Sequence, residues 1–522
     1  MTDKGIELPL LRSRPKLLAW DSLQKRLIAQ PGFLTWMGSL VICLVLCALK
    51  LPVLWENAAP SGADPGNWLS LAWSLTGQGA RLSPWAYPPM AFVLLRGLLV
   101  IFTPLISLKI FSLACWIGMT VALWFVLRKS FSRLPAYVAL GIALIFGLAT
   151  YNNDMFAWGG YPQMLGTAFL ILALPHLEAW LILGKRSDGR FALLAGVGVI
   201  YTHHLMAALL LGMGMLVFAW TAVHERWQRR DLARRYGAYL GALLLLSLPA
   251  GVIYWNYLHL LAGNPANANG YSLALLHDVI TYVFRDLASL WLVLLATALI
   301  TPFLIRRSKI SGTLFAFTWG SLLAFLLLVE VRVLQMSFAG IAVGLALLYD
   351  RAWSYPAGPG VTRARHWILG VGLAIILAVS GFQGQNTYVQ SMSYYQVAGN
   401  DVLPGLTWLR NHTSSSDRVA VSSNQPGMLG WWVEGYAQRP AYYAADLRWL
   451  SFRQERENAR IANLIFNPQT SPLRLSGVLS EQQSRYIFID RKFAEEEYKN
   501  LLRQGFLVQV YADKRIAILK VR

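Results

Sequence analysis

The chain has 522 residues, of which 56% are hydrophobic and only 14% charged, against about a quarter charged in an ordinary soluble protein. That balance excludes a soluble enzyme and a disordered chain. A formal net charge of +20 would suggest a nucleic-acid partner for a soluble protein, but the apolar residues fall in blocks of roughly 17–24, the length that carries a helix across a bilayer.

Six basic residues (Lys4, Arg12, Arg14, Lys16, Lys25 and Arg26) precede the first apolar block at 33–52. The block starts too late for a signal peptide and lacks a small-residue cleavage site. Residues 1–32 therefore read as a basic cytoplasmic N-terminus and 33–52 as a first span. Cys43, Cys47 and Cys115 all lie in apolar blocks, so no disulfide framework is expected.

The stretch 53–106 reads as a first external loop. Within it, Asp64 before Pro65 suits a helix N-cap with Pro at the first helical position. Trp68, Leu71, Ala72 and Leu75 recur at helical spacing, which predicts a short interfacial helix that Gly77 and Gly79 can end. Asp64 is equally a carboxylate held at the membrane surface, able to act as a base toward an acceptor hydroxyl. Glu56 is a second acid of this loop. Tyr87-Pro88-Pro89 stops helical continuation and turns the chain back toward the bilayer.

The apolar stretch 86–103 decides the topology. If it crosses, the basic clusters that follow change sides. If it only dips into the outer leaflet, the clusters Arg128–Arg133, Lys185–Arg190, Arg226–Arg235, Arg306–Lys309 and Arg351–Arg365 share the cytoplasmic side. Only Lys50, Arg81, Arg96, Lys109, Arg285 and Arg332 then remain at the outer side before residue 383. The positive-inside rule selects this second arrangement, with about eleven spans. After 33–52 they lie near 107–127, 134–150, 163–184, 190–202, 204–222, 236–258, 287–305, 312–330, 333–350 and 366–382. Such unbroken blocks exclude a β-barrel, and most of the positive charge is orientation signal rather than a nucleic-acid footprint.

Three polar groups stand at span ends on the outer side. Asp154 lies in Tyr151-Asn-Asn-Asp-Met-Phe-Ala-Trp-Gly-Gly-Tyr-Pro-Gln163 and reads either as part of a solvated interfacial loop or as a functional acid. His203-His204 divides two blocks; adjacent histidines on a helix point in different directions, so a single imidazole that binds phosphate or caps a span end is a better reading than a metal pair. Glu330-Val331-Arg332 is either an interfacial ion pair or an Arg that binds a lipid-linked phosphate in a bidentate manner. Beyond residue 383 the hydrophobicity falls. Short strands are expected at Arg418–Ser422, Arg485–Asp490, Leu507–Tyr511 and Ile516–Val521, with helices at 401–411, 447–465 and 492–503. Residues 383–522 are thus expected to form a soluble α/β domain on the outer side.

This order of motifs resembles the GT-C glycosyltransferases: the oligosaccharyltransferase catalytic subunit, protein O-mannosyltransferases, and bacterial aminoarabinose and arabinosyl transferases. The stretch 53–106, with Asp64 and Tyr87-Pro88-Pro89, is similar to their first external loop. Asp154 stands where their second acidic motif occurs, here as a single Asp. Trp408-Leu409-Arg410-Asn411, Gly430-Trp431-Trp432 and Gly435-Tyr436-Ala437-Gln438-Arg439 look like the external domains of bacterial members.

The resemblance implies a polytopic α-helical protein of a bacterial inner membrane, with a GT-C-like region at 33–382. It would transfer a sugar from a polyprenyl-phosphate donor to a glycan, lipid or protein acceptor at the outer face. Asp64 would be the base, and Arg332 the phosphate partner assisted by His203 or His204, with Glu56 and Tyr87 beside the substrate. If a divalent cation is used, Mg²⁺ or Mn²⁺ is the expected ion, with Asp154 and Glu330 its oxygen ligands. Two other classes remain open. A transporter or lipid-linked-glycan flippase would carry charges mid-span and internal repeats, whereas a non-catalytic scaffold would tolerate loss of Asp64.

Overall fold

The computed structural model describes residues 31–78, 87–131, 133–225, 229–260, 288–304, 310–328, 330–356, 358–422, 428–445, 447, 450 and 452–522. The basic segment before residue 31, most of the loop expected at 259–286, and Arg306–Lys309 lie outside the described residues.

The chain is a polytopic α-helical membrane protein with a small sheet domain at its C-terminal end. All eleven stretches expected to span are helices: Pro31–Glu56, Pro104–Ser130, Ala136–Gly147, Tyr161–Leu183, Arg186–Thr202, His204–His224, Arg229–Leu260, Ala288–Leu304, Ser311–Leu328, Gln335–Ser354 and Pro359–Tyr394. Eight are long and apolar enough to cross a membrane, and Ala136–Gly147 taken with Thr150–Trp158 makes a ninth. Arg186–Thr202 and Ala288–Leu304, 17 residues each, stand at the short end of spanning length. Helix Met90–Ile101, with 12 residues, is too short to cross. Large apolar side chains such as Leu44, Leu245, Val252, Trp255 and Ile368 are exposed along these helices, as lipid-facing positions are and water-facing ones are not.

The pair Ala136–Gly147 and Thr150–Trp158 is bent by 49° because Ala149 leaves helical geometry, at ψ 139. A break inside a bilayer frees carbonyls that must find donors. Asn153 Nδ2 donates to the Leu148 and Ala149 oxygens, both at 2.9 Å, and Asn152 Nδ2 to the Phe146 oxygen at 2.7 Å. Helix Pro359–Tyr394 passes so close to the break that a Cβ on Gly384 would sit 2.1 Å from the Leu148 oxygen.

That last helix also runs through 383, where the soluble domain was expected to begin, and ends only at Tyr394. Its polar residues are used internally. Gln385 and Asn153 both accept from the fully buried Lys50, whose ammonium lies 3.8 Å from the centre of the Tyr388 ring. Lys50 is therefore a buried, internally bonded side chain rather than a free charge at the outer rim. A buried acid, Glu178, is likewise structural: it accepts from the Gly312 and Thr313 N–H groups at 2.8 and 2.7 Å, capping helix Ser311–Leu328.

After Tyr394 five strands form one sheet: β1 (Arg418–Val421), β2 (Ala441–Tyr443), β3 (Ser484–Asp490), β4 (Leu507–Ala512) and β5 (Ile516–Val521), in the order β2-β1-β3-β5-β4. β1 pairs in parallel with β2 and β3, whereas β5 is antiparallel to β3 and β4. Ile487, Ile489, Ala517 and Leu519 bury one face against helices Arg453–Ile465, Pro472–Glu481 and Arg491–Leu502. Strand β2 and helix Pro472–Glu481 are additions to the elements expected from sequence.

Candidate active site

Asp64 opens helix Asp64–Ser74, whose N-cap is Ala63. Ala63 has no side chain able to cap it, and Asp64 stands one place inside the cap. The capping reading of Asp64 is thus not realised, and its carboxylate is left for another purpose. The strand of chain leading to it is held on both sides. Ser61 Oγ donates to the Ala157 oxygen at 2.6 Å, the Gly62 N–H to Tyr395 O at 2.8 Å, and Trp432 Nε1 to Gly62 O at 2.9 Å. Gly62, at φ +95, and Gly159, at φ +99, occupy the left-handed region that favours glycine. A Cβ on Gly159 would meet Asp64 Cβ at 2.9 Å, so the absence of a side chain there lets the acid sit against the end of helix Thr150–Trp158. On the far side, Gly435 and Gly66 pack this helix onto the sheet domain; a Cβ on Gly435 would lie 2.0 Å from Gly66 O.

Asp64 lines a cavity of about 140 Å³ with Tyr87, His203, His204, Arg332 and Gln163. Burial pushes its carboxyl up from the ordinary 3.8 to about 7, against the opposing pull of the Arg332 charge. Arg332 is turned by Glu330. Nε donates to Oε1 at 2.9 Å and Nη2 to Oε2 at 2.8 Å, which leaves the Nη1 edge outside this pair. Burial alone would raise the Glu330 carboxyl, but the bonds from Arg332 outweigh it and hold the acid below its ordinary value, hence ionised. Behind the pair runs a buried amide chain. Gln163 donates to the Arg332 oxygen at 3.3 Å and to Gln335 at 3.1 Å, and Gln335 donates to Asn152 at 3.1 Å. The Tyr151–Gln163 segment thereby supports the Arg through its amides.

The two histidines are not on one continuous helix. His203 is extended, at φ −155 and ψ 126, between helices Arg186–Thr202 and His204–His224. The rings consequently stack, 4.7 Å apart and 17° from parallel, instead of pointing apart as a continuous helix would make them. Tyr257 Oη lies 3.1 Å from His204 Nε2, while both Nδ1 atoms are buried without a hydrogen-bond partner. Buried polar atoms left over in this way are uncommon and call for a role. Tyr87 stands edge-on to His204 at 5.4 Å; burial holds its phenol well above the ordinary value and so protonated, as a donor.

Glu56 and Asp154 are placed elsewhere. Glu56 ends helix Pro31–Glu56, is exposed and does not line the cavity. Asp154 is buried and turns to helix Pro359–Tyr394, where its oxygens accept from Ser391 at 2.6 Å and Tyr395 at 3.4 Å. With Glu330 occupied by Arg332 and Asp154 by these hydroxyls, the two do not fit a divalent-cation site. Among the described residues no group of three or more His, Cys, Asp or Glu could hold a metal ion.

The cavity also has walls that sequence reasoning missed. Trp431, Phe452 and Glu455 come from the sheet domain, and Tyr257 from helix Arg229–Leu260. Phe452 and Tyr257 meet edge-to-face at 5.6 Å. Glu455 is buried in the first turn of helix Arg453–Ile465. No local pattern marks that acid, since only the tertiary fold brings it to the cavity.

No protein-family model matches the sequence, and no curated protein matches it. Solved structures do. The chain is similar to apo ArnT from Cupriavidus metallidurans, at 14% identity and a TM-score of 0.55, covering 91% of this chain and 97% of that one. It is also similar to the arabinofuranosyltransferase AftD from Mycobacteria, at 14% identity and a TM-score of 0.57, covering 93% of this chain and 41% of that one. The fold is the GT-C fold.

Proposed function

We propose that this GT-C chain is a membrane glycosyltransferase, moving a sugar from a polyprenyl-phosphate-linked donor to an acceptor hydroxyl at the extracytoplasmic face. The observation that carries the proposal is the pairing, in one cavity, of the uncapped Asp64 carboxylate with the Arg332 guanidinium and two stacked imidazoles. The cavity, at about 140 Å³, is smaller than the ~300–1,000 Å³ of pockets that enclose a drug-sized molecule. It suits a head group whose remainder stays outside. On the outer side of the helix that carries the wall residue Tyr257, Trp255 and Leu258 are exposed, as lipid-facing positions are.

The chemistry follows from the charges. Asp64 removes the proton from the acceptor oxygen as that oxygen bonds to the anomeric carbon. The bond from that carbon to the donor phosphate breaks, and its electron pair leaves with the phosphate. Arg332 and the imidazole N–H groups stabilise the charge that grows on the departing phosphate. The Glu330 carboxylate keeps the guanidinium oriented. Hexosyl or pentosyl donors fit this scheme equally.

Two measurements test the proposal. In a strain lacking the protein, mass analysis of membrane extracts should show a polyprenyl-phosphate sugar accumulating and a matching sugar lost from an envelope glycan, lipid or protein. An unchanged lipid-linked pool would remove the transferase reading. Reporter fusions after residues 130 and 400 should fall on opposite sides of the membrane, the latter outside. Both on one side would put the cavity, and the donor with it, at the wrong face.

A further inference from the structure

We infer that a second groove, on the sheet domain, binds a neutral oligosaccharide and holds the non-reacting sugars of the acceptor. Its lining includes Trp408, Tyr436, Tyr511, Asn400, Asn411 and Thr407, beside aliphatic residues, and its volume is about 600 Å³. Its use as an acceptor subsite rests on the transferase reading; the binding itself does not.

The lining names the ligand class. Aromatic rings offer apolar faces to the C–H side of a sugar ring, and amides and a hydroxyl match its hydroxyl groups. None of the lining residues is Asp, Glu, Lys or Arg, and His412 is the one histidine among them. The charges nearest to the groove are engaged with the walls themselves, the Arg410 guanidinium 5.7 Å from the centre of the Tyr436 ring and the Asp513 carboxylate on Tyr511 Oη, whereas the catalytic cavity is lined directly by Asp64, Arg332 and Glu455. The walls are also preset. Trp408 stacks on His412 at 4.9 Å and 10° from parallel and lies 5.8 Å from Tyr511; Tyr436 Oη is 3.3 Å from Thr407 Oγ1. Little side-chain ordering is left to oppose binding.

The position of the groove ties it to the catalytic cavity. Asn400 Oδ1 accepts from the Ala58 N–H at 3.0 Å, in the loop that leads to Asp64. Trp431, in the cavity wall, and Tyr436, in the groove, stand five residues apart across the joined helical turns Leu429–Trp432 and Val433–Ala437. That is roughly 8 Å along the axis at a helical rise, a span a few sugar residues cover. The turn also grips the helix of Asp64, since Trp73 Nε1 donates to Gly435 O at 3.0 Å. The groove and the cavity thus share the turn 429–437 as a common wall element.

The test is a titration of the full chain in lipid nanodiscs with hexaoses of mannose, arabinose, galactose, glucose and N-acetylglucosamine, read by calorimetry. At least one should bind with a Kd of about a millimolar or tighter. Trp408→Ala should weaken it about tenfold or more. The exposed Asn411→Ala, which leaves the aromatic walls intact, should weaken it by a smaller but measurable factor. Asp64→Asn and Arg332→Ala should leave this Kd unchanged, placing the site apart from the cavity. Failure of all five sugars to bind, indifference to both groove substitutions, or displacement of a bound hexaose by an uncharged peptide overturns the inference. Hexaose binding in a protein that transfers no sugar would keep the groove and remove the transferase reading instead.

Discussion

Asp64→Asn should lower sugar transfer by about 10²–10⁴, the usual worth of a positioned general base, and should be as damaging as Asp64→Ala. An N-cap would behave differently, because Asn caps about as well as Asp. The wild-type rate should climb with pH and level off above about 7, where burial has placed this carboxyl, and that limb should vanish in Asp64→Asn. Stability runs the other way. A carboxyl whose pKa is higher in the folded than in the unfolded chain favours the fold most at low pH, and that contribution is lost as pH rises through about 7. Asp64→Asn should therefore be at least as heat-stable as wild type at pH 8. The check is transfer in membranes against pH, normalised to folded protein. Full activity in Asp64→Asn would take Asp64 out of the proton-transfer step.

Arg332→Ala should raise the Michaelis constant for lipid donor by about 10–100-fold, the range expected for losing hydrogen bonds to a charged group. Arg332→Lys should fall between this and wild type, because an ammonium cannot fork across Glu330 and still offer a second edge. Removing the guanidinium also strands the Glu330 carboxylate next to the donor phosphate. Adding Glu330→Gln to Arg332→Ala should accordingly recover part of the loss, a non-additivity that contacting pairs display. Donor kinetics in reconstituted vesicles decide the matter. Unchanged constants in both single variants would reduce Arg332 to an interfacial anchor.

What the sequence made legible is what the bilayer dictates. A span needs about 20 apolar residues, and a helix stands at each stretch so marked. Strand β2 has only three residues, too few for an alternation to register, and it exists because β1 offers it an edge. Polarity alone puts the start of the C-terminal domain at 383, eleven residues before the last long helix ends. Gln385, Tyr388 and Ser391 remain helical to Tyr394 because the Lys50 side chain, the Leu49 and Lys50 carbonyls and Asp154 use their polar groups.

At the site, Asp64, Tyr87, His203, His204 and Arg332 were legible as unusual residues at span ends and in the first loop, and the fold gathers them. Their mutual geometry was not. The stacking of His203 on His204 depends on one extended residue between two helices. The contribution of Glu455 depends on a docking event nearly 400 residues of chain away from Asp64.

That docking sets a schedule for biosynthesis. Trp431, Phe452 and Glu455 complete the cavity wall, and the sheet that carries them has β5 between β3 and β4. Helices of the bundle can insert one after another as they emerge, but the wall cannot close before residues 429–455, which carry Trp431, Phe452 and Glu455, have been made and docked. A nascent chain, or one truncated before them, would hold Asp64 and Arg332 in a cleft open to water. Such a chain is an incomplete site rather than a slow one. Competence arrives in a single late step, after every span is already seated.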